Sequence, residues 1–392
     1  MSSSSLINSG PGGSVKACRT TMQTWNTDIV WEVAAKLGQR DLANVARVCK
    51  QWLPIVRPHL YRDIVVDPYL RGTHALVALF NKREDLRCLV RHLTLRGIVG
   101  GEGWFKLLLE WIKYLPERNL VSVEIDFSDT RPLIMLLESP AIRTAPHVVI
   151  RQPVFNRERM AIVLANPHLR TLSAIVHSDC LAPQGTLRLK RLSITVERIP
   201  STLPQILSAI EPSAPLQRFD LRVTAQPDEH VIAALARSLA PHAPSLTRLA
   251  IASGERVADA PFMDDLAPSL SSVEWLCCAY GTYTSALLLR APARLHTLVL
   301  LWGLDGTALI RDPYGRGYIT GPRLENVPFP SNDFARAVAC VAARPEVALR
   351  RLVVALPKLV RDPCEAVAAA CAAAGIAFEK VWMNDGMLDI ME

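Results

Sequence analysis

Arginine is the side chain whose placement most suggests chemistry in this chain. A guanidinium pairs with carboxylate or phosphate groups in bidentate fashion. Arg191, Arg218 and Arg248 recur at steps of 27 and 30 residues, each directly before an apolar residue of a strand-like run, and Arg351 repeats the placement further on. Enzymatic chemistry has less support. The nine histidines show no H-x-x-x-H or other metal spacing, no serine sits in a G-x-S-x-G elbow, and no cysteine has a context that would make it a nucleophile. Asp126 and Asp129 flank Phe127 without a third partner and read as turn residues. The glycines Gly97, Gly100, Gly101 and Gly103 match neither the dinucleotide nor the phosphate-loop spacing. The expectation is a non-catalytic chain with no cofactor.

The runs that carry the arginines share one template, apolar-x-x-apolar-x-apolar. It fits Val90/Leu93/Leu95, Leu120/Val123/Ile125, Ala145/Val148/Ile150, Leu169/Leu172/Ala174, Leu189/Leu192/Ile194 and Leu216/Phe219/Leu221. It continues with Leu246/Leu249/Ile251, Leu270/Val273/Trp275, Leu295/Leu298/Leu300, Leu324/Val327/Phe329, Leu349/Leu352/Val354 and Phe378/Val381/Met383. Successive copies start 20 to 30 residues apart. Segments with helical spacing lie between them, among them residues 204–210, 228–239, 333–343 and 363–374, commonly set off by proline or glycine. One strand and one helix per step cannot close a core alone, so the units must stack.

Stacked in parallel, each strand would alternate between the core and an open face. The position before the second apolar residue then forms a row: His92, Ser122, His147, Thr171, Arg191, Arg218, Arg248, Ser272, Thr297, Asn326, Arg351 and Lys380. Five of these twelve are Lys or Arg, where the chain's composition would place about one. A solvated strand face also favours arginine. The sharper expectation is a ladder, with Arg191, Arg218, Arg248 and Arg351 binding an acidic or phosphorylated protein segment. Residues 302–330, rich in glycine and proline, read as an irregular excursion.

Composition sets the bounds. The chain has 392 residues, half of them apolar, and its formal charge of +7 is modest for that length, which argues against a dedicated nucleic-acid binder. Nine scattered cysteines without a C-x-x-C pair suggest reduced thiols, hence the cytosol or nucleus. The opening residues lack the regions of a signal peptide, and no apolar run reaches the roughly 18 residues of a membrane span. A soluble chain without membrane contact is expected. Residues 1–23 are rich in serine and glycine and are expected to be disordered.

Residues 25–66 break from the repeats. Ile29, Val33 and Leu37 lie at i, i+4, i+8, and Leu42, Val45, Cys49 and Trp52 at i, i+3, i+7, i+10, so two amphipathic helices are expected. Thr27 is placed to cap the first, Gly38 to end it, Asp41 to sit early in the second, and Pro54 to stop it. Three short helices in about forty residues bury too little apolar surface to stand alone.

This stretch resembles an F-box of the kind common in fungal proteins, through Asp41-Leu42, Val48-Cys49-Lys50 with Trp52, and Leu60-Tyr61; Trp25-Asn26 stands where the family usually has Leu-Pro. The resemblance implies docking on the Skp adaptor of a cullin-RING ubiquitin ligase, through Trp25, Ile29, Val33, Leu37, Leu42, Val45, Val48 and Trp52. The repeats resemble a degenerate leucine-rich-repeat array without its usual asparagine; an ordinary α/β domain with leucine-heavy strands is the alternative. The expected fold class is thus α/β. A small all-α F-box (24–66) leads through a connecting segment (67–88) to an irregular leucine-rich-repeat-like solenoid (89–385) and a tail (386–392). The expected function is substrate recognition for an SCF-type ligase, with a scaffold that acts without ubiquitination as the alternative.

Overall fold

The computed structural model describes residues 26–48, 50–97, 110–126, 135–155, 157–176, 183, 185–196, 199–223, 229–253, 257–258, 260–302, 329–357 and 364–383. Several expectations lie outside them: the two tails, Trp25, the excursion over 303–328, Asp129, three of the clustered glycines and three of the cysteines. The chain divides into two compact units, Met1–Tyr61 and Arg62–Glu392.

The described part of the first unit is helical, with α1 (Thr27–Ala34), α2 (Gln39–Val48) and α3 (Leu53–Leu60). Asn26, one residue before the expected Thr27, caps α1: its side chain accepts the Asp28 N–H at 3.1 Å. Gly38 does not close α1 with a left-handed turn. The helix stops at Ala34, and the Gly38 carbonyl accepts the Leu42 N–H at 3.0 Å, which opens α2 instead. Asp41 lies in the first turn of α2, where the helix dipole favours an acid. Pro54 lies in the first turn of α3, where its missing N–H leaves no bond unmade. Ala34, Leu42 and Val56, at most 3 % exposed, form the small core, with Leu37, Val45, Ala46, Trp52 and Leu60 packed around it.

The second unit holds a twelve-stranded parallel sheet in which every strand pairs with its neighbours in sequence. The strands are β1 (Asp63–Val66), β2 (His92–Arg96), β3 (Ser122–Asp126), β4 (His147–Phe155), β5 (Thr171–Val176) and β6 (Arg191–Val196). They continue with β7 (Arg218–Val223), β8 (Arg248–Ser253), β9 (Trp275–Cys278), β10 (Thr297–Leu301), β11 (Arg351–Pro357) and β12 (Ala377–Met383). The first strand, Asp63–Val66, was expected at the end of the helical unit. Its alternation, with Ile64 and Val66 buried and their neighbours exposed, suits a sheet edge. Helices fall near their expected places, at Leu203–Ser208, Glu229–Leu239, Ser331–Ala342 and Glu365–Ala373, and neighbouring ones pack side by side.

Register is set by a bond that recurs from step to step. Two consecutive N–H groups converge on one carbonyl of the preceding step: Lys190 and Arg191 on Arg170, Gln217 and Arg218 on Lys190, Thr247 and Arg248 on Gln217, Glu274 and Trp275 on Thr247. Side chains just ahead of the strands reinforce it. Asn119 donates to the Val90 carbonyl at 2.7 Å, Asn166 to that of Ala145 at 2.7 Å, and Ser245 to that of Leu216 at 2.9 Å. Each acceptor is the first apolar residue of the preceding template copy, whose carbonyl would otherwise be buried without a donor. Between strands the template leucines form one core layer: Leu93, Val123, Val148, Leu172, Leu192, Phe219, Leu249, Leu276, Leu298 and Leu352 are at most 2 % exposed.

Two template copies need correction. Leu276 pairs with Leu249 and Leu298, so the β9 copy is Val273/Leu276/Cys278, three residues later than expected. Phe378 pairs with Leu352, which puts Ala377 rather than Lys380 in the row. Leu324 and Val327 of the copy Leu324/Val327/Phe329, and Asn326 of the row, lie outside the described residues; Thr297 of β10 pairs directly with Arg351 of β11. Among the described residues no helix is long and apolar enough to cross a membrane.

Candidate functional site

Two surfaces carry the expected site residues, one in each unit. On the first, α1 has a polar side of Thr27, Asp28 and Glu32 and a wide apolar arc, of which Val30 and Ala34 turn inward. Ile29 (52 % exposed), Trp31 (45 %) and Val33 (46 %) are therefore left on the surface. Trp31 is braced edge-on by His59 of α3, ring centroids 4.3 Å apart. Of the expected docking residues, Ile29 and Val33 are thus available to a partner. Leu42 is not: it is 3 % exposed and belongs to the unit's own core, and Leu37, Val45 and Trp52 pack against that core half-buried. Trp25 lies outside the described residues, as does the side chain of Val48. Trp31 was not singled out in the sequence; two residues from Ile29 and from Val33, it lies on another side of α1 from them.

On the second unit, the observed row runs Asp63, His92, Ser122, His147, Thr171, Arg191, Arg218, Arg248, Trp275, Thr297, Arg351 and Ala377, each the first residue of its strand. Its first half is tied by hydrogen bonds between neighbours, His92 Nδ1 to Ser122 Oγ at 2.7 Å and His147 Nδ1 to Thr171 Oγ1 at 2.9 Å. Burial, then the charges of Arg191 and His92, hold the His147 pKa below the ordinary 6.5.

The arginine ladder exists as expected, with Arg191, Arg218 and Arg248 in register on β6, β7 and β8. One carboxylate sits within it. Asp220, next on the same face of β7 and 6 % exposed, accepts from Arg218 Nε at 2.5 Å, and its other oxygen lies 3.5 Å from Arg248 Nε. The Arg248 guanidinium stacks over the Trp275 ring, 4.0 Å from its centroid. Arg248 Nε and Nη2 are buried without a hydrogen-bond acceptor among the described residues. Burial, then repulsion from Arg218, lowers its pKa from the usual value. Arg351 is not part of this cluster. Trp275 and Thr297 separate it from Arg248, and Glu379 of β12 takes its charge at 2.5 Å.

The row face is not open along its whole length. In β2, β3, β5 and β6 buried residues alternate with partly exposed ones, as expected. In β8, β9 and β10 every position after the first is buried. Ala250, Ala252, Cys277, Val299, Leu301, Val353 and Ala355 form a second apolar cluster there, at most 2 % exposed, with Trp275 packed against it. The row position alone stays partly exposed in these three strands, so Arg248 and Trp275 lie at the rim of a buried apolar face. Cys277 is inside that cluster, and burial pushes its thiol up to about 12.

No family model matches the chain, and no curated protein matches it.

Proposed function

We propose that the chain is the substrate-recognition adaptor of an SCF-type ubiquitin ligase. In this reading residues 24–61 act as an F-box that docks on the Skp adaptor and through it on a cullin. The sheet and its helices form an irregular leucine-rich-repeat-like solenoid that holds a protein substrate. The chain performs no bond chemistry itself; it raises the effective concentration of substrate beside a transfer enzyme. The cytosol or nucleus suits its thiols, Cys277, Cys278 and Cys371 being buried outside any disulfide among the described residues.

The observation that supports this reading most is the pair Ile29 and Val33, one helical turn apart and each about half exposed on α1, beside a core of only three buried side chains. A helix that leaves two large apolar side chains one turn apart in water fits a helix-in-groove partner. The test is affinity capture of the Skp adaptor and of a cullin by the full chain, beside the Ile29→Lys, Val33→Lys variant. Capture of both, lost in the variant, supports the ligase reading. Capture of the adaptor without the cullin favours a scaffold, and capture of neither rejects both.

A further inference from the structure

We propose that Arg191, Arg218 and Arg248, with Trp275 at their end, form a docking groove for an unmodified acidic segment of a protein partner, whose Asp or Glu carboxylates pair with the guanidiniums across β6 to β8. This rests on the reading of the row face as the substrate surface and names what that surface takes. Arg218 and Arg248 share one carboxylate there, Asp220, and Arg191 pairs with none among the described residues, so a positive excess remains. Glu124 likewise is flanked by two guanidiniums, Arg151 at 2.7 Å and Arg96 at 3.7 Å, whereas Arg351 is matched by Glu379.

Within the cluster, Arg191 is exposed and makes no ion pair among the described residues. Arg248 turns its Nε toward Asp220 at 3.5 Å and keeps its side chain 17 % exposed. Arg191 and that exposed part of Arg248 are what a ligand carboxylate can reach. The lowered pKa of Arg248, caused in part by Arg218, has the direction expected where positive charge outweighs negative.

Spacing selects the ligand. Neighbouring strands lie about 4.8 Å apart, so Arg191 and Arg248 stand about 10 Å apart, the rise of about three residues in an extended segment crossing the strands. Two carboxylates two or three residues apart then meet both ends of the ladder. Asp220 disfavours a denser anion. A continuous polyanion, or a dianionic phosphate set between Arg218 and Arg248, would face its carboxylate at close range, whereas carboxylates placed on Arg191 and on the outer donors of Arg248 straddle it. The chain's modest +7 likewise points away from nucleic acid. Trp275 and arginine together are the side chains most enriched where protein partners bind tightly.

Three degenerate peptide libraries test this on the immobilised full chain, one with a fixed Glu-x-Glu, one with a fixed phosphoserine and one with serine at those positions. The Glu-x-Glu library should be retained above the serine library, and Arg191→Ala should reduce its retention about fivefold, the worth of one good exposed ion pair. Arg336→Ala, on the helix Ser331–Ala342 and 80 % exposed, should leave retention unchanged. Arg191 is exposed, so its variant should unfold at the same temperature as the parent, which is measured alongside. Equal retention of the Glu-x-Glu and serine libraries, stronger retention of phosphoserine than of Glu-x-Glu, or an Arg191→Ala chain that retains peptide like the parent would each overturn the proposal. Capture of the Skp adaptor is scored on the same samples: a groove that fails while adaptor capture holds leaves the ligase reading standing, and the reverse outcome rejects that reading alone.

Discussion

Replacing Asp220 by asparagine keeps its shape and removes its charge, and so isolates what holds the arginine ladder together. Two guanidiniums on adjacent strands, about 5 Å apart, repel by about 3 kcal/mol at the effective dielectric of a protein surface. Asp220 offsets that repulsion through one hydrogen-bonded contact, to Arg218, and one looser ionic contact, to Arg248. With Arg218 roughly a third exposed and Arg248 less than a fifth, water screens only part of the interaction. Asp220→Asn should therefore lower the unfolding free energy in urea by about 3 kcal/mol, in the range seen when one member of a buried pair is deleted. Adding Arg218→Met should restore most of the loss, because it removes the repulsion that the first change exposes. Salt at 1 M, where the screening length is about 3 Å, should shrink the effect. A loss within 0.5 kcal/mol of zero, or a double variant no more stable than Asp220→Asn, would refute the electrostatic reasoning.

Other consequences are equally accessible. Leu42→Ala should cost about 2 to 5 kcal/mol and strip hydrogen-exchange protection from α1 to α3, whereas Ile29→Ala should change protection by less than about 0.5 kcal/mol; equal effects would mean the inner and outer faces of the helical unit are assigned wrongly. Because the folded pKa of His147 lies below the unfolded 6.5, its contribution to stability is intact above pH 6.5 and declines as pH falls below it. Arg191→Ala should move that pKa upward in an NMR titration, and no movement would separate the two side chains electrostatically. In the native protein at pH 8, iodoacetamide should label the exposed Cys88 and Cys340 and spare Cys277 and Cys278, whose thiols burial keeps protonated; mass spectrometry reads the sites.

The repeat was legible in the sequence because each step places its leucines at fixed spacing and the strand period is two. The helices between steps were legible for the same reason, through their own spacing and the prolines that bound them. Where the pattern fits twice, it misleads. Around β9, Leu270, Val273, Trp275, Leu276 and Cys278 satisfy the template in either of two frames, and only the pairing of Leu276 with Leu249 and Leu298 decides between them. At β12 the true frame contains Gly375 and Lys380, which an edge strand tolerates and an apolar template rejects. The misreading carried into the site, putting Ser272 and Lys380 in the row in place of Trp275 and Ala377.

The ladder itself was visible, since three successive strands begin with arginine. Asp220, two residues along the strand from Arg218, falls in the next row of the same face by the strand period alone; only the register brings it beside Arg248. On α1, the sets Ile29/Val33 and Val30/Ala34 both have i, i+4 spacing, so periodicity could not say which faces inward. A helix whose apolar arc is wider than the face it buries reveals that face only when its neighbours are seen.

The most direct test of the account is the affinity of the purified full chain for the Skp adaptor. Full burial of a large apolar side chain is worth about 1.5 to 3 kcal/mol, so covering the exposed halves of Ile29 and Val33 should contribute about 1 kcal/mol each. Replacing both by serine should then weaken binding about thirtyfold. Micromolar or tighter association that falls by that factor, with α1 amides gaining exchange protection in the complex, is the predicted result. No association of the parent chain at micromolar concentration, or binding that ignores the two substitutions, would contradict it.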